Sequence, residues 1–292
     1  MLRRHPLKSR IEYWSERQFA LLPLRVSGRF LGRFWLLIIL VMLPSTMAQA
    51  SDVKFDDIFS AQATAGTLVV ERLGQQQLWV HDKARAADPK TPASTFKVPN
   101  SLFALEAGAV ANVDESVPWD GTQRRIKQWN RPHSLRSAII VSSVPTYQEL
   151  ARRIGVEQMA SFVRKAKYGN QEIGDVVDKF WLLGPLQISA FEQVDFLKRL
   201  HARSLPFSRQ HQEAAIEILE VDRGENWVLR AKTGWAVDTK PSIGWYVGWL
   251  ELEADTYVFA LNIDMLDSKK HSLSRSHIAK QALQRIVGEQ LW

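Results

Sequence analysis

The apolar positions of this chain follow more than one period. Residues 66–72 (GTLVVER) and 76–81 (QQLWVH) are short runs rich in β-branched residues and Trp on either side of Gly74, the pattern of two strands joined by a turn. From 94 to 108 the pattern turns helical. Phe96, Leu102, Phe103 and Leu105 supply the apolar face, Gly108 is a stop signal, and Pro99 must kink the helix or lie in its first turn. Helical spacing also predicts helices over 134–141, 145–155, 157–166, 189–203 and 208–220. Strand-like runs return at 227–233, 243–251 and 256–264, and a last helix is expected over 274–289. Strands, a helical middle, three strands and a helix predict one α/β (α+β) unit. Its antiparallel sheet would be built from both chain ends, with a helical region inserted between them.

One apolar run belongs to none of these elements. Phe34–Leu43 (FWLLIILVML) is uncharged and about ten residues long, short of the ~20 apolar residues of a membrane-spanning helix. Residues 1–33, ahead of it, carry eight Lys or Arg against Glu12 and Glu16, a net of +6. Behind it, Ala48-Gln49-Ala50 makes a small-residue cleavage site. A basic region, an apolar run and an A-x-A ending predict a secretory signal peptide over 1–50, with an unusually long basic part, and a single domain over 51–292.

This division changes the meaning of the charge. The whole chain carries +7, which alone would suggest a polyanionic partner. From Ser51 onward there are 30 basic and 29 acidic residues, a net of +1, so neither a nucleic acid nor a membrane is expected as a partner of the exported form. The absence of cysteine excludes disulfides, thiol catalysis and Cys-based metal centres. None of the seven histidines stands at metal-ligand spacing with another, so no metal is expected, and His81, His133 and His201 read as surface residues. No G-x-S-x-G, H-E-x-x-H or Gly-rich phosphate loop is present.

The candidate chemistry starts at Ser94-Thr95-Phe96-Lys97, expected to open a helix. Serine at i and lysine at i+3 share one helical face, where a neutral lysine can take the hydroxyl proton. Taken alone the spacing is weak, and it recurs at Ser51–Lys54. Two later features raise its weight: Ser142-Ser143-Val144 after an apolar helix, and Lys232-Thr233-Gly234 at the end of a strand. In this order the three are the element set of the penicillin-recognising serine enzymes.

With PASTFKVPNSLFALEAGAV (92–110), SSVPTYQELARRIG (142–155), YGN (168–170), FWLLGPLQIS (180–189), KTGW (232–235), GWYVGWLE (244–251) and FALNID (259–264), the chain resembles the class D, oxacillinase-type serine β-lactamases across nearly all of residues 51–292. A class A enzyme would have Ser-Asp-Asn at 142–144. The resemblance implies the serine β-lactamase/penicillin-binding transpeptidase-like fold and a β-lactam as substrate. It implies that Ser94 is the nucleophile and that Lys97 is carboxylated by carbon dioxide to an N6-carboxylysine that acts as general base. Trp181 would hold the carbamate through its indole N–H, the alternative being a simple core Trp. Ser142 would relay a proton to the leaving nitrogen, and Val144 would keep the site apolar. The N–H groups of Ser94 and Trp235 would form an oxyanion hole, with Lys232, Thr233 and Arg275 beside the substrate carboxylate. The Arg275 match crosses a variable loop at 267–273, and that residue could instead be a surface charge. Tyr168 and Asn170 would shape the site wall or serve the fold.

Pro132, in Trp129-Asn130-Arg131-Pro132-His133, departs from the family, which often has an acidic residue there. Apart from carbon dioxide no cofactor is implied, and the oligomeric state stays open. The implied activity is β-lactam hydrolysis by an exported, periplasmic enzyme. The alternatives are a penicillin sensor or penicillin-binding protein that deacylates slowly, and a protein of this fold with lost activity.

Overall fold

The computed structural model describes residues 53–75 and 77–292. The expected signal peptide, residues 1–50, lies outside the described residues. The chain begins with α1 (Asp56–Ala61), β1 (Gly66–Arg72), β2 (Gln77–His81) and α2 (Lys83–Ala87). A 3-10 turn (Ala93–Phe96) then runs into α3 (Lys97–Glu106). The helical middle continues through α4 (Leu135–Ile140), α5 (Val144–Ile154), α6 (Val156–Lys165), α7 (Phe180–Leu183), α8 (Ala190–His201) and α9 (Arg209–Glu217). It is followed by β3 (Glu220–Arg223), β4 (Trp227–Ala236), β5 (Ile243–Leu252), β6 (Thr256–Asp264) and α10 (Ser268–Val287).

The six strands form one sheet in the order β2-β1-β6-β5-β4-β3. All its pairs are antiparallel, so strands from the two ends of the domain meet where β1 pairs with β6, Gly66 opposite Ile263. Alternate residues of each strand point to opposite faces, and this divides the core in two. Val69, Trp245, Val247, Trp249 and Ala260 face the helical middle, including α3 and α8. Leu68, Val70, Tyr246, Leu250, Phe259 and Leu261 face Ile278, Ala282 and Leu283 of α10, together with Ile58 and Phe59 of α1. Both faces are covered, so β1, β5 and β6 read as nearly continuous apolar runs rather than as an alternation.

Several boundaries differ from the sequence reading, each for a local reason. The helix expected over 208–220 stops at Glu217, and Glu220–Arg223 is an edge strand, β3. Its four residues, EVDR, are too short and too charged to show a strand period. The last helix starts at Ser268, not Ser274. Asp267 caps it by accepting from the N–H groups of Lys269 and Lys270, so the stretch taken as a variable loop is its first turns. α1 and α2 were not expected; both are a turn or two long. His133 is buried rather than superficial. Its ring lies 3.0 Å from Ser137 Oγ and 2.8 Å from the Gln128 carbonyl. His81 and His201 are half-buried, His81 stacked on Phe59 and His201 beside Glu251. Pro132 is exposed, next to the bridge between Val117 and His133.

Candidate active site

Ser94 lies in the 3-10 turn and Lys97 is the first residue of α3, a small change from a serine opening the helix itself. The change matters because side chains at i and i+3 eclipse in a 3-10 turn. Lys97 Nζ is 2.8 Å from Ser94 Oγ. Pro99 is the third residue of α3, inside the first turn, where its missing N–H costs no helical bond. Ala93 just before the serine has φ +49°, a left-handed conformation unusual for a residue with a Cβ. Thr95 Oγ1 donates to the Pro92 carbonyl (2.8 Å) and Trp245 Nε1 to the Thr91 carbonyl (3.0 Å), which fastens the turn from two sides.

Lys97 is fully buried. Its pKa falls well below the ordinary lysine value, chiefly because burial penalises the ammonium and secondarily because Lys232 repels it. Lys232 stands on β4, and Gly234 two residues on brings that strand against the serine turn. A Cβ there would lie 3.0 Å from both the Pro92 carbonyl oxygen and the Thr95 methyl group. Lys232 Nζ donates to the Thr233 carbonyl (3.0 Å) and sits 3.3 Å from Thr233 Oγ1. Burial, followed by repulsion from Arg275, lowers its pKa to about 7.

Arg275 is not a surface charge. Its guanidinium donates to the Gly234 carbonyl at 2.6 Å and to the Ser272 carbonyl, and burial lowers its pKa to about 10. Gly244 opens its path, since a Cβ at that position would come within 2.7 Å of Arg275 Cδ. Lys232 and Arg275 thus converge with the proton-poor Lys97, and none of the three is hydrogen-bonded to a carboxylate among the described residues. An anionic ligand suits such a cluster, with Trp235 at its edge, partly exposed and donating its indole N–H to Ser242 Oγ.

Val144 is the first residue of α5, which packs on α3, and Ser142 lies just before it. Ser142 has φ +50°, a second left-handed position without glycine. Trp181, on α7, stacks on Phe96 with ring centroids 5.4 Å apart. It is fully buried, and its indole N–H has no hydrogen-bond partner. Such an orphaned donor is uncommon in a well-packed core.

Tyr168 requires a correction. It is fully buried, edge-on to Phe96 and Phe196, and cannot wall a substrate cleft. It acts one layer further in: its hydroxyl donates to Gln193 Oε1 (3.4 Å), and Gln193 Nε2 donates to Thr95 Oγ1 (2.9 Å). Asn170 is exposed and braces the loop before α8, donating to the Pro185 carbonyl and accepting from the Gln187 N–H. The Gln193 and Trp245 hydrogen bonds to the serine turn, and the left-handed backbone at Ala93 and Ser142, were not expected from the sequence. A motif names residue types and not backbone conformation or cross-chain partners, and Gln193 belongs to no motif at all.

A six-stranded antiparallel sheet packed with helices on both faces, and a buried Ser–Lys pair beside a Lys-Thr-Gly strand, define a serine acyl-transfer enzyme of the penicillin-recognising class. The family model described as the penicillin binding protein transpeptidase domain matches residues 60–285. Beta-lactamase OXA-10 of Pseudomonas aeruginosa is 38% identical over 245 residues, which cover 82% of this chain and 92% of the relative. Beta-lactamase OXA-48 of Klebsiella pneumoniae is 39% identical over 227 residues, 78% of this chain and 85% of the relative. Among solved structures, the class D β-lactamase YbXI from Nostoc superposes with a TM-score of 0.79 at 39% identity, over 80% of this chain and 99% of that one. FUS-1 (OXA-85), a class D β-lactamase from Fusobacterium nucleatum subsp. polymorphum, gives a TM-score of 0.77 at 41% identity, over 80% and 96% of the two chains. The chain belongs to the class D β-lactamases, serine enzymes that hydrolyse β-lactams.

Proposed function

We propose that this enzyme opens the ring of penicillin-type antibiotics through an acyl-enzyme on Ser94, with Lys97 carboxylated as the general base for acylation and deacylation. One observation carries the reading: Trp181 keeps an unpartnered, buried N–H next to the turn that holds a buried, proton-poor lysine. A carbamate on Lys97 would accept that N–H and end the orphan state. Carboxylation needs the amine neutral, and burial favours that state. When present, the carbamate supplies an anionic oxygen base that a bare amine lacks.

The other roles belong to the chain's own groups. Ser94 Oγ attacks the lactam carbonyl. The backbone N–H groups of Ser94 and Trp235 receive the developing oxyanion, each worth roughly 3–4 kcal/mol in comparable sites. Ser142 passes a proton to the leaving nitrogen. Lys232, Thr233 and Arg275 hold the substrate carboxylate, and Val144 keeps the lysine's surroundings apolar. Phe96, stacked on Trp181 and edge-on to Phe180, supports the same dryness. We further assign residues 1–50 to a signal peptide and the enzyme to the periplasm. Among the described residues no helix is long and apolar enough to cross a membrane.

The test is steady-state turnover of a penicillin and of a chromogenic cephalosporin, with bicarbonate supplied and with it depleted. The reading expects many turnovers per enzyme, and a loss on depletion that grows at acid pH, where protonated Lys97 cannot hold carbon dioxide. Stoichiometric acylation without turnover would instead indicate a penicillin sensor.

A further inference from the structure

Two buried hydroxyls meet behind Lys97, and none of the steps above uses them. Ser101, one turn along α3, and Tyr147, on α5, are both fully buried with their oxygens 2.7 Å apart. Ser101 Oγ is also 2.8 Å from the Lys97 carbonyl oxygen, which can only accept. The single serine proton is therefore committed to Lys97, and Tyr147 must be the donor in the hydroxyl pair. Asn100, next to Ser101, reaches the Tyr147 carbonyl at 3.4 Å. Two consecutive residues of α3 thus grip one residue of α5. The tyrosine held in this way presents its ring to Lys97 Nζ, 5.4 Å from the ring centroid.

The ring is one wall of the space in which Nζ sits. Carboxylation forms a bond between the neutral amine nitrogen and the carbon of carbon dioxide and releases one N–H proton to solvent. A wall that yields lets water reach Nζ, favours the ammonium and withdraws the lone pair. We propose that the Tyr147–Ser101 hydroxyl pair is a positioning element that sets the affinity of Lys97 for carbon dioxide by fixing the Tyr147 ring against Nζ. This rests on the carbamate reading above.

The experiment is a titration of the purified protein with 13C-labelled bicarbonate, following the carbamate resonance by NMR, with the melting temperature recorded for each variant. Tyr147→Phe removes the donor and Ser101→Ala strands the phenol. Each should raise the half-saturating bicarbonate about fivefold, the equivalent of one ordinary hydrogen bond. The double variant S101A/Y147F leaves no unpaired hydroxyl and should return to within about twofold of the wild type, because an apolar pair replaces a polar one. If Tyr147→Phe does not fold, Ser101→Ala carries the comparison. A wild-type resonance whose half-saturation is the same in the single variants, even with lowered melting temperatures, would reduce the pair to a structural contact and overturn the proposal. A wild type that shows no carbamate resonance would overturn the proposed base, and this inference with it.

Discussion

At the scale of single residues, the site is built from cations that the fold deprives of their usual solvation. Lys232 shows the consequence most clearly. Its proton leaves near pH 7 in the folded protein and near the ordinary 10.5 when unfolded. Between those values the unfolded chain binds more protons, so this residue makes stability rise with pH across that window. Below pH 7 the buried ammonium is fully unfavourable. Lys232→Met should therefore raise unfolding stability at pH 6 by on the order of a few kcal/mol while weakening substrate binding. Denaturant melts that show Met less stable than Lys at pH 6 would refute the burial argument. The same titration predicts that kcat/KM falls as pH rises above about 7, because the free enzyme loses a cation meant for the substrate carboxylate. Ser94→Ala should abolish the covalent adduct seen by intact-protein mass spectrometry. Ser94, Lys97 and Lys232 could be found in the sequence because a motif names them, whereas Arg275 was matched only across residues 267–273 and its burial shows only in the fold. For Tyr168 the same route left the site wall and a role in the fold both open, and its burial decides for the fold, since a motif does not say which of its residues are buried.

At the scale of elements, backbone placement controls which side chains meet. Gly234 lets β4 lie against the 3-10 turn, and Gly244 lets Arg275 pass under β5. Gly234→Ala should push β4 a few tenths of an ångström from the serine turn and lower kcat/KM by up to about 10-fold, since a full 1 Å of misplacement can cost about 100-fold. A variant with unchanged kinetics would show that the close approach is incidental. Asp267→Ala should cost about 1 kcal/mol through loss of the α10 cap, readable as a lowered denaturation midpoint. The long strands and amphipathic helices were legible because their apolar periods run for many residues. β3, α1, α2 and the start of α10 were not. Each is short or held by a cap, and tertiary contacts rather than propensity decide them. The left-handed backbone at Ala93 and Ser142 leaves no trace in composition, because both residues are of kinds that rarely adopt it.

For the whole molecule, the sheet order explains why a site can form from residues nearly two hundred positions apart. β1 closes onto β6, which fixes the two ends of the domain, and the helical middle then carries α3, α5 and α7 onto the face where Ser94, Ser142 and Trp181 stand. The surplus charge of the chain also acquires a place: +6 of the +7 lies in residues 1–33, ahead of the proposed cleavage site. The central claim is that Lys97 works as a carbamate, and it is tested most directly by one measurement, penicillin turnover at fixed pH as bicarbonate is removed and then restored. The account predicts that kcat falls severalfold on removal, recovers on restoration, and responds more steeply at pH 6 than at pH 8. Turnover that stays the same throughout, by an enzyme whose mass shows no carbon dioxide adduct on Lys97, would contradict it.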